Sequence, residues 1–428
     1  MKISLGQDGD KIVFQISPEQ DDLDHLEGTK ISIGRNSAYV SIPGISLEEI
    51  HPDILALSSI LISHQLIGNR LCLDWPVSED FLEESNRVLS RYKIEARAGV
   101  DIERNRKIIG RPALAFSGGA DSMAALAVMP GDTVPIFMNR PMKKGSLYNS
   151  EAPLKTCEMI KQMGYDVRVI ASDLEYLREP IGFPSDLAHA IPAILMSEKL
   201  GIGSISFGTV LESAFGIGHK KFVDYPVSSH NRFFGTLFSA AGLRLALPIA
   251  GISEIGTSII GMESPLGEFA QSCIRGTWMK PCMNCWKCFR KELLGLALGH
   301  ETKADLLKML KSSSEVQIKL SAFPISHENV VAFSIKKIPI EEHPYLRGLR
   351  KRTVPSNSLG FLSRWYSPSN VLIPEEWRGQ CVEEICSFLG VMSESEEERV
   401  QSWNMESFLA DENIKKAHFK LTSSWQDL

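Results

Sequence analysis

Three absences in the 428-residue sequence each remove a class of protein. No stretch of about 20 apolar residues is free of charge, so we expect no transmembrane helix and no membrane partner. Residues 1–5 lead into alternating sequence and lack the apolar core of a secretory signal, which favours a cytoplasmic protein. The 46 Lys and Arg residues are outnumbered by 52 Asp and Glu residues, so the chain lacks the basic excess of a general nucleic-acid binder.

Apolar residues are plentiful, and their spacing divides the sequence into three parts. Hydrophobic residues make up 43% of the chain, enough for the cores of two or three domains. The pattern of residues 1–108 predicts a small mixed α+β domain, because short strands of alternating apolar and polar residues surround two helical stretches. Residues 109–300 predict a parallel α/β sheet, and residues 301–428 are mostly helical. In chain order, the middle part has predicted strands at 113–116, 133–138, 166–171 and 204–209, and predicted helices at 122–129, 154–163 and 186–200.

A glycine-rich string follows the first strand of the middle part and precedes a helix. It consists of Ser117, Gly118, Gly119, Ala120, Asp121 and Ser122. The glycines let the backbone approach a ligand closely, and the N–H groups at the start of the helix attract anions. An aspartate in such an anion site indicates Mg²⁺ bound together with phosphate groups. The alternative is an ordinary capped turn; the P-loop string GxxxxGK[ST] and the dinucleotide string GxGxxG are both absent.

Four of the eight cysteines are clustered with the spacing of a metal site. The pattern C-x8-C-x2-C-x2-C is formed by Cys273, Cys282, Cys285 and Cys288. Four thiolates suit tetrahedral Zn²⁺ and leave no open coordination position, so we expect a structural zinc ion. Disulfides are disfavoured in a reducing compartment, and an iron–sulfur or redox site is the alternative.

The string Ser117–Ser122 resembles the SGGxDS loop of the N-type ATP pyrophosphatases, the PP-loop superfamily. Together with the cysteine pattern, it makes residues 110–300 similar to the 7-cyano-7-deazaguanine synthase family. The resemblance implies a core of the adenine nucleotide alpha hydrolase type with a zinc knuckle, a homodimer, and ATP, Mg²⁺ and Zn²⁺ as cofactors. It implies that Ser117–Ser122 bind ATP, with Asp121 and Ser117 as catalytic residues. The family adenylates 7-carboxy-7-deazaguanine, releases AMP and pyrophosphate, and forms an amide and then a nitrile.

The sequence departs from that family on the side that binds the acceptor. Residues 183–186 differ from the family segment, Glu212 alone matches an acidic stretch, and Glu254 stands where the family has a lysine. Extended relatives occur in bacterial defence operons, where their proposed role is attaching a deazaguanine to a protein. The resemblance therefore implies antiviral defence, a small heterocyclic carboxylic acid as substrate, a protein amine as acceptor, and a homodimer or a complex with operon partners.

Two other functions fit parts of the sequence. A PP-loop sulfur transferase or amidotransferase would act on another acceptor, but the scattered cysteines form no persulfide arrangement. A non-catalytic assembly subunit would keep only the fold, and the intact glycine-rich string argues against it. In the C-terminal part we expect an exposed acidic loop at 394–398 and a solvated basic run comprising Arg347, Arg350, Lys351 and Arg352.

Overall fold

The computed structural model describes most of the chain. The described residues are 1–97, 99, 109–142, 148–301, 305–338, 344–353 and 359–423. The predicted domain boundary at residue 108 lies outside them. Among these residues, no helix combines the length and the apolar character needed to cross a bilayer.

The N-terminal part is a mixed sheet with three helices. Its strands are β1 (Lys2–Asp8), β2 (Lys11–Ser17), β3 (Ser32–Ile33), β4 (Ser37–Ser41), β5 (Arg70–Leu73) and β6 (Lys93–Glu95), and its helices are α1 (Gln20–Leu26), α2 (Pro52–Ser63) and α3 (Glu79–Val88). The five-stranded sheet has the order β4-β2-β1-β5-β6. The pairs β1–β2 and β2–β4 are antiparallel, whereas β1–β5 and β5–β6 are parallel. The predicted alternation is confirmed, because Ile12, Phe14 and Ile16 are buried on one face of β2.

The central part contains a parallel sheet of five strands. The elements are β7 (Arg111–Phe116), α4 (Ala120–Val128), β8 (Val134–Asn139), α5 (Glu151–Gln162), β9 (Arg168–Ala171), β10 (Arg178–Glu179), α6 (Ile191–Leu195), α7 (Ser197–Leu200), β11 (Ile202–Ser206), α8 (Leu211–Phe215), α9 (Ser229–Ala240), β12 (Arg244–Ala246) and α10 (Glu254–Glu263). The order is β12-β11-β7-β8-β9, and every pair is parallel. The chain places β8 and β9 on one side of β7, and then places β11 and β12 on the other side. This reversal places a topological switch point, the usual ligand position in open α/β sheets, between β7 and β11.

The parallel α/β sheet predicted for residues 109–300 is confirmed, with one helix wrong. The single helix predicted at 186–200 is divided into a short 3₁₀ turn, α6 and α7. Pro192 lies in the first turn of α6, where its missing N–H ends the preceding turn and its fixed φ starts a new helix.

The N-terminal and central parts share one hydrophobic core. Buried residues of both parts, such as Phe14 and Ile205, belong to the same apolar cluster. An isolated antiparallel bridge joins Val40 of β4 to Ser172, which follows β9. The short strands β3 and β10 also pair across the two parts. The edge strands β4 and β9 therefore lie side by side.

The C-terminal part is helical, as predicted. After α11 (Trp286–Ala297), which ends the central part, its helices are α12 (Leu306–Ser312), α13 (Ser314–Ser321), α14 (Glu328–Lys337), α15 (Pro344–Arg352), α16 (Glu375–Phe388), α17 (Glu394–Gln401), α18 (Glu406–Ala410) and α19 (Glu412–Ser423). The acidic loop predicted at 394–398 is wrong, because these residues open α17 and suit the positive end of a helix. The solvated position predicted for Arg352 is also wrong. Its guanidinium is buried and donates to Glu328 Oε1 at 2.7 Å, a pairing that compensates the cost of burying both charges.

Candidate functional site

The glycine-rich string Ser117–Ser122 forms the turn between β7 and α4, at the switch point of the parallel sheet. Gly118 has φ of 71°, a left-handed conformation that favours glycine. Gly119 is the N-cap of α4, so the leading N–H groups of this helix face the turn. The string thus has the strand–turn–helix setting that an anion-binding loop requires.

Hydrogen bonds between its own hydroxyls fix the shape of this turn. The Oγ atoms of Ser117 and Ser122 are 3.0 Å apart, and Ser122 Oγ donates to the Gly119 carbonyl at 3.0 Å. Asp121 projects from the first turn of α4, where its Oδ1 accepts from Thr257 Oγ1 at 2.8 Å. The carboxylate of Asp121 is therefore held in one orientation before any ligand arrives.

The turn after β11 packs directly against this loop. A Cβ atom at Gly208 would lie 3.2 Å from the Ser122 amide nitrogen and 3.3 Å from the Asp121 carbonyl carbon. Such contacts are tighter than nearly all real Cβ contacts, so the two turns meet this closely because residue 208 is glycine.

A cavity of about 760 Å³ opens at this edge of the sheet. This volume falls within the range of small-molecule sites. Its lining includes Ser117, Asp121 and Ser122 of the glycine-rich string and also Asp186, Glu212 and Lys221. The structure therefore brings the predicted loop and parts of both predicted acceptor segments onto one cavity, although they are far apart in sequence.

Aromatic rings form one wall of this cavity. The Phe207 and His189 rings both line it and meet edge to face, with centroids 5.2 Å apart and planes at 81°. Phe183 supports His189 from behind at a centroid distance of 5.5 Å. Phe207 is buried, so the half-buried His189 ring is the flat face that could meet a planar heterocyclic ligand.

Glu212 lies at the rim of the cavity in a buried polar network. Asn329 Nδ2 donates to Glu212 Oε1 at 2.9 Å, and the Glu254 amide donates to both carboxylate oxygens at 3.1 and 3.2 Å. The Glu254 side chain in turn pairs with Arg290 at 3.0 Å. Burial, and then the charge of Glu254, raises the pKa of Glu212 from its ordinary value of 4.5 to about 8. A carboxyl group that stays protonated near neutral pH can donate a hydrogen bond to a ligand.

The raised pKa of Glu212 makes stability depend on pH. Between pH 4.5 and about 8 the folded state holds a proton that the unfolded state releases, so stability falls as pH rises through this window. The loss amounts to a few kcal/mol, since each unit of pKa shift is worth about 1.4 kcal/mol. Glu212→Gln should flatten this slope in urea unfolding at pH 5.5 and 8.5. The matched control Glu263→Gln, on the exposed end of α10, should keep it; an unchanged slope in Glu212→Gln would contradict the assignment.

The four predicted cysteines lie together in the segment before and at the start of α11. Their Sγ atoms all lie within 4.8 Å of one another. The Cys285–Cys288 and Cys282–Cys288 sulfur pairs are 3.5 and 3.9 Å apart. Four sulfurs at about 2.3 Å from a tetrahedral zinc ion would be about 3.8 Å apart, so this group can hold a metal such as zinc. The separations are far longer than a disulfide bond.

Backbone amides support the cysteine cluster. The Cys282 amide donates to Cys273 Sγ, and the Cys288 amide donates to Cys285 Sγ, both at 3.4 Å. Such hydrogen bonds stabilise thiolates and orient them toward a metal. The C-terminal part closes over the cluster, because Ser313 Oγ donates to the Asn284 carbonyl at 3.0 Å.

The cysteine segment is also tied to the glycine-rich loop. The Gln271 amide donates to the Gly118 carbonyl at 2.7 Å, and the Ala120 amide donates to Ser272 Oγ at 3.2 Å. In each bond, one partner lies within two residues of Cys273 and the other lies in the glycine-rich loop. The position of the loop therefore depends on the conformation of the cysteine segment.

Sequence reasoning missed the contribution of the C-terminal part to the cavity. Trp403 Nε1 donates to the His219 carbonyl at 3.0 Å, and the Met405 amide donates to the Lys220 carbonyl at 2.7 Å. These bonds hold the segment after α8, which carries Lys221 on the cavity wall. Nothing in the local sequence of 403–405 signals this role, because one indole N–H and one backbone amide meet backbone carbonyls far away in the chain.

The structure defines a mixed α/β protein with a parallel, doubly wound sheet, a helical C-terminal part, and a cysteine cluster able to hold a metal ion. The model of one protein family, described as a family of unknown function (DUF6395), matches residues 233–404. This segment includes the four cysteines and the helices from α10 to α17, but not the glycine-rich loop. Neither the curated proteins nor the solved structures gave a match.

Proposed function

We propose that this protein is an ATP-dependent ligase that forms AMP and pyrophosphate. It adenylates the carboxylate of a flat heterocycle of the 7-deazaguanine type and transfers the acyl group to an amine. The observation that carries the proposal is the shared cavity: the loop Ser117–Ser122, resembling the PP-loop, faces an aromatic wall and acidic groups across a space of about 760 Å³.

Each side of the cavity has residues suited to one part of this reaction. The amides of Asp121 and Ser122 in the first turn of α4 would bind pyrophosphate oxygens, while the hydroxyls of Ser117 and Ser122 keep the turn in shape. Asp121, fixed by Thr257, would be the ligand for Mg²⁺, which neutralises charge on the phosphates when bound. Zinc in the cysteine cluster would act structurally, because four thiolates fill its coordination.

The acceptor side suits a planar acid with hydrogen-bonding edges. The half-buried His189 ring, packed on Phe207, offers a face for stacking, and the protonated Glu212 carboxyl offers a donor. Lys221 supplies a positive charge that would attract a carboxylate. The divergence of this side from the family pattern supports a different second substrate, for which we propose the amine of a partner protein in antiviral defence.

The reaction can be tested through its nucleotide product. The protein is incubated with ATP, Mg²⁺, 7-carboxy-7-deazaguanine and ammonium, and the products are separated by chromatography and mass spectrometry. We expect AMP, pyrophosphate and the deazaguanine amide in equal amounts, because an acyl adenylate releases one of each. Indole-3-carboxylate, a flat acid without the pyrimidine edge, serves as the control and should give little turnover.

Formation of ADP and phosphate would contradict the proposal, because it would place bond cleavage at the γ-phosphate. Release of AMP with indole-3-carboxylate but not with 7-carboxy-7-deazaguanine would retain the adenylation and remove the deazaguanine substrate. A sulfur-containing product in the presence of sulfide would instead favour the sulfur transferase alternative.

A further inference from the structure

Three polar side chains form a hydrogen-bonded chain in the lining of the cavity that also contains the glycine-rich loop. His230 Nε2 lies 2.8 Å from Asp186 Oδ2, and His230 Nδ1 lies 2.9 Å from the Tyr225 hydroxyl. All three residues line the same cavity as Ser117 and Asp121. Neither Tyr225 nor His230 belongs to any motif recognised in the sequence.

The proton positions in this chain follow from the charge on Asp186. Burial raises the pKa of Asp186, but the hydrogen bond and charge of His230 outweigh it and hold that pKa below its ordinary value. An ionised carboxylate can only accept, so His230 Nε2–H donates to Asp186. His230 Nδ1 is then free of hydrogen and accepts the Tyr225 O–H.

Packing holds His230 and Tyr225 in place. His230 lies in the first turn of α9, whose N-cap Ser228 accepts from the Asn231 amide at 3.1 Å. The His230 ring also packs on Phe234, with centroids 4.7 Å apart. Tyr225 is 7% exposed, and burial raises the pKa of its hydroxyl, so it is a neutral donor when no substrate is bound.

Such a chain can accept a proton at its cavity end. We propose that Tyr225 is the acid–base residue of the amide-forming step, with His230 as the final proton acceptor and Asp186 positioning His230. This inference rests on the proposed function, because the step it describes follows adenylation. We call this hydrogen-bonded chain the relay; its two ends, Tyr225 and Asp186, both line the cavity that would hold the acyl adenylate.

The step balances without any further reactant. The amine nitrogen bonds to the acyl carbon, and an N–H proton passes to the Tyr225 oxygen while the Tyr225 proton moves to His230 Nδ1. The acyl C–O bond to AMP breaks, and AMP leaves with the electron pair. The imidazolium on His230 is held by the Asp186 carboxylate until it releases its proton to solvent.

A comparison of two nucleophiles distinguishes an acid–base role of Tyr225 from a structural one. Hydroxylamine is largely unprotonated at neutral pH and is reactive enough to attack acyl adenylates without help from a base, whereas ammonium is largely protonated and depends on a base for its attack. With ATP, Mg²⁺ and 7-carboxy-7-deazaguanine, Tyr225→Phe should form hydroxamate at the wild-type rate. With ammonium instead, its amide formation should fall by about 10²-fold, the usual contribution of general acid–base catalysis.

Two further variants sharpen the test. His230→Asn keeps an acceptor near the Tyr225 hydroxyl but cannot take its proton, so it should behave like Tyr225→Phe. Tyr165→Phe removes a half-buried hydroxyl away from the cavity and should leave both products unchanged. Wild-type amide formation in Tyr225→Phe, or an equal loss of hydroxamate and amide, would overturn the relay. Absence of hydroxamate from the wild-type protein would instead remove the proposed adenylation, and the relay with it.

Discussion

Replacing Cys285 by serine should remove the bound metal and destabilise the fold more than any other single change considered. Cys285 contacts Cys288 and is the N-cap of α11, where serine can take over the capping hydrogen bond, so the substitution chiefly removes one of the four ligands. Structural zinc binding contributes about 10–16 kcal/mol in small zinc domains, and much of that free energy is folding free energy. Metal analysis should find about one zinc per chain in the wild type, no labile sulfide, and almost no zinc in Cys285→Ser.

The matched control is Cys386→Ser, which changes an exposed thiol far along the sequence in α16. Its zinc content and unfolding midpoint should equal those of the wild type. Because Cys285→Ser itself could fail to fold, the wild-type protein should also be stripped with a strong chelator and melted with and without added Zn²⁺. Wild-type protein that contains no metal and melts at the same temperature after chelation would contradict the structural zinc site. Labile sulfide and iron would favour the iron–sulfur alternative.

Asp121→Asn should reduce pyrophosphate release by about 10²–10³-fold, the range expected when one preorganised charge-stabilising group is lost. Asparagine keeps an oxygen that can accept from Thr257, so the fold should be preserved. It removes the negative charge that the proposed Mg²⁺ contact requires. The rate is measured as pyrophosphate released from ATP with 7-carboxy-7-deazaguanine at saturating Mg²⁺.

Asp132→Asn is the control for Asp121→Asn, since Asp132 is exposed in the turn before β8, at the opposite edge of the sheet from the cavity. It should release pyrophosphate at the wild-type rate. A wild-type rate in Asp121→Asn would exclude Asp121 from the reaction. A large fall in its unfolding midpoint would show that the residue acts on the fold through Thr257 rather than on phosphate.

The parallel sheet and the cysteine cluster could be predicted because their signals are local. A buried strand, the glycines after it and the next helix are consecutive in the sequence, and three of the cysteines lie within the seven residues Cys282–Cys288. The strand β12 has only three residues and was missed, since so short a run shows no periodicity. The break at Pro192 was missed because the surrounding residues are all good helix or core formers.

The acceptor wall of the cavity could not be predicted, because it is built from contacts over long distances in the chain. Glu212 meets Asn329 across more than a hundred residues, and the pairing of Glu254 with Arg290 depends on how α10 and α11 pack. The Asp186–His230 pair joins a loop to the start of a helix. Each of these residues has an ordinary local sequence, and only the tertiary fold gives it its polar partner.

The side-by-side position of β4 and β9 has a consequence for anyone who cuts this protein into pieces. A strand at the edge of a sheet presents unpaired N–H and C=O groups that readily pair with another chain. Here each sheet hides an edge of the other, and the bridge between Val40 and Ser172 marks the junction. A fragment starting at residue 109 would uncover β9 together with the apolar surface that faces Phe14. We therefore expect such a fragment to self-associate through intermolecular strands, so that residues 1–108 should be kept in any fragment made for crystallisation or kinetics.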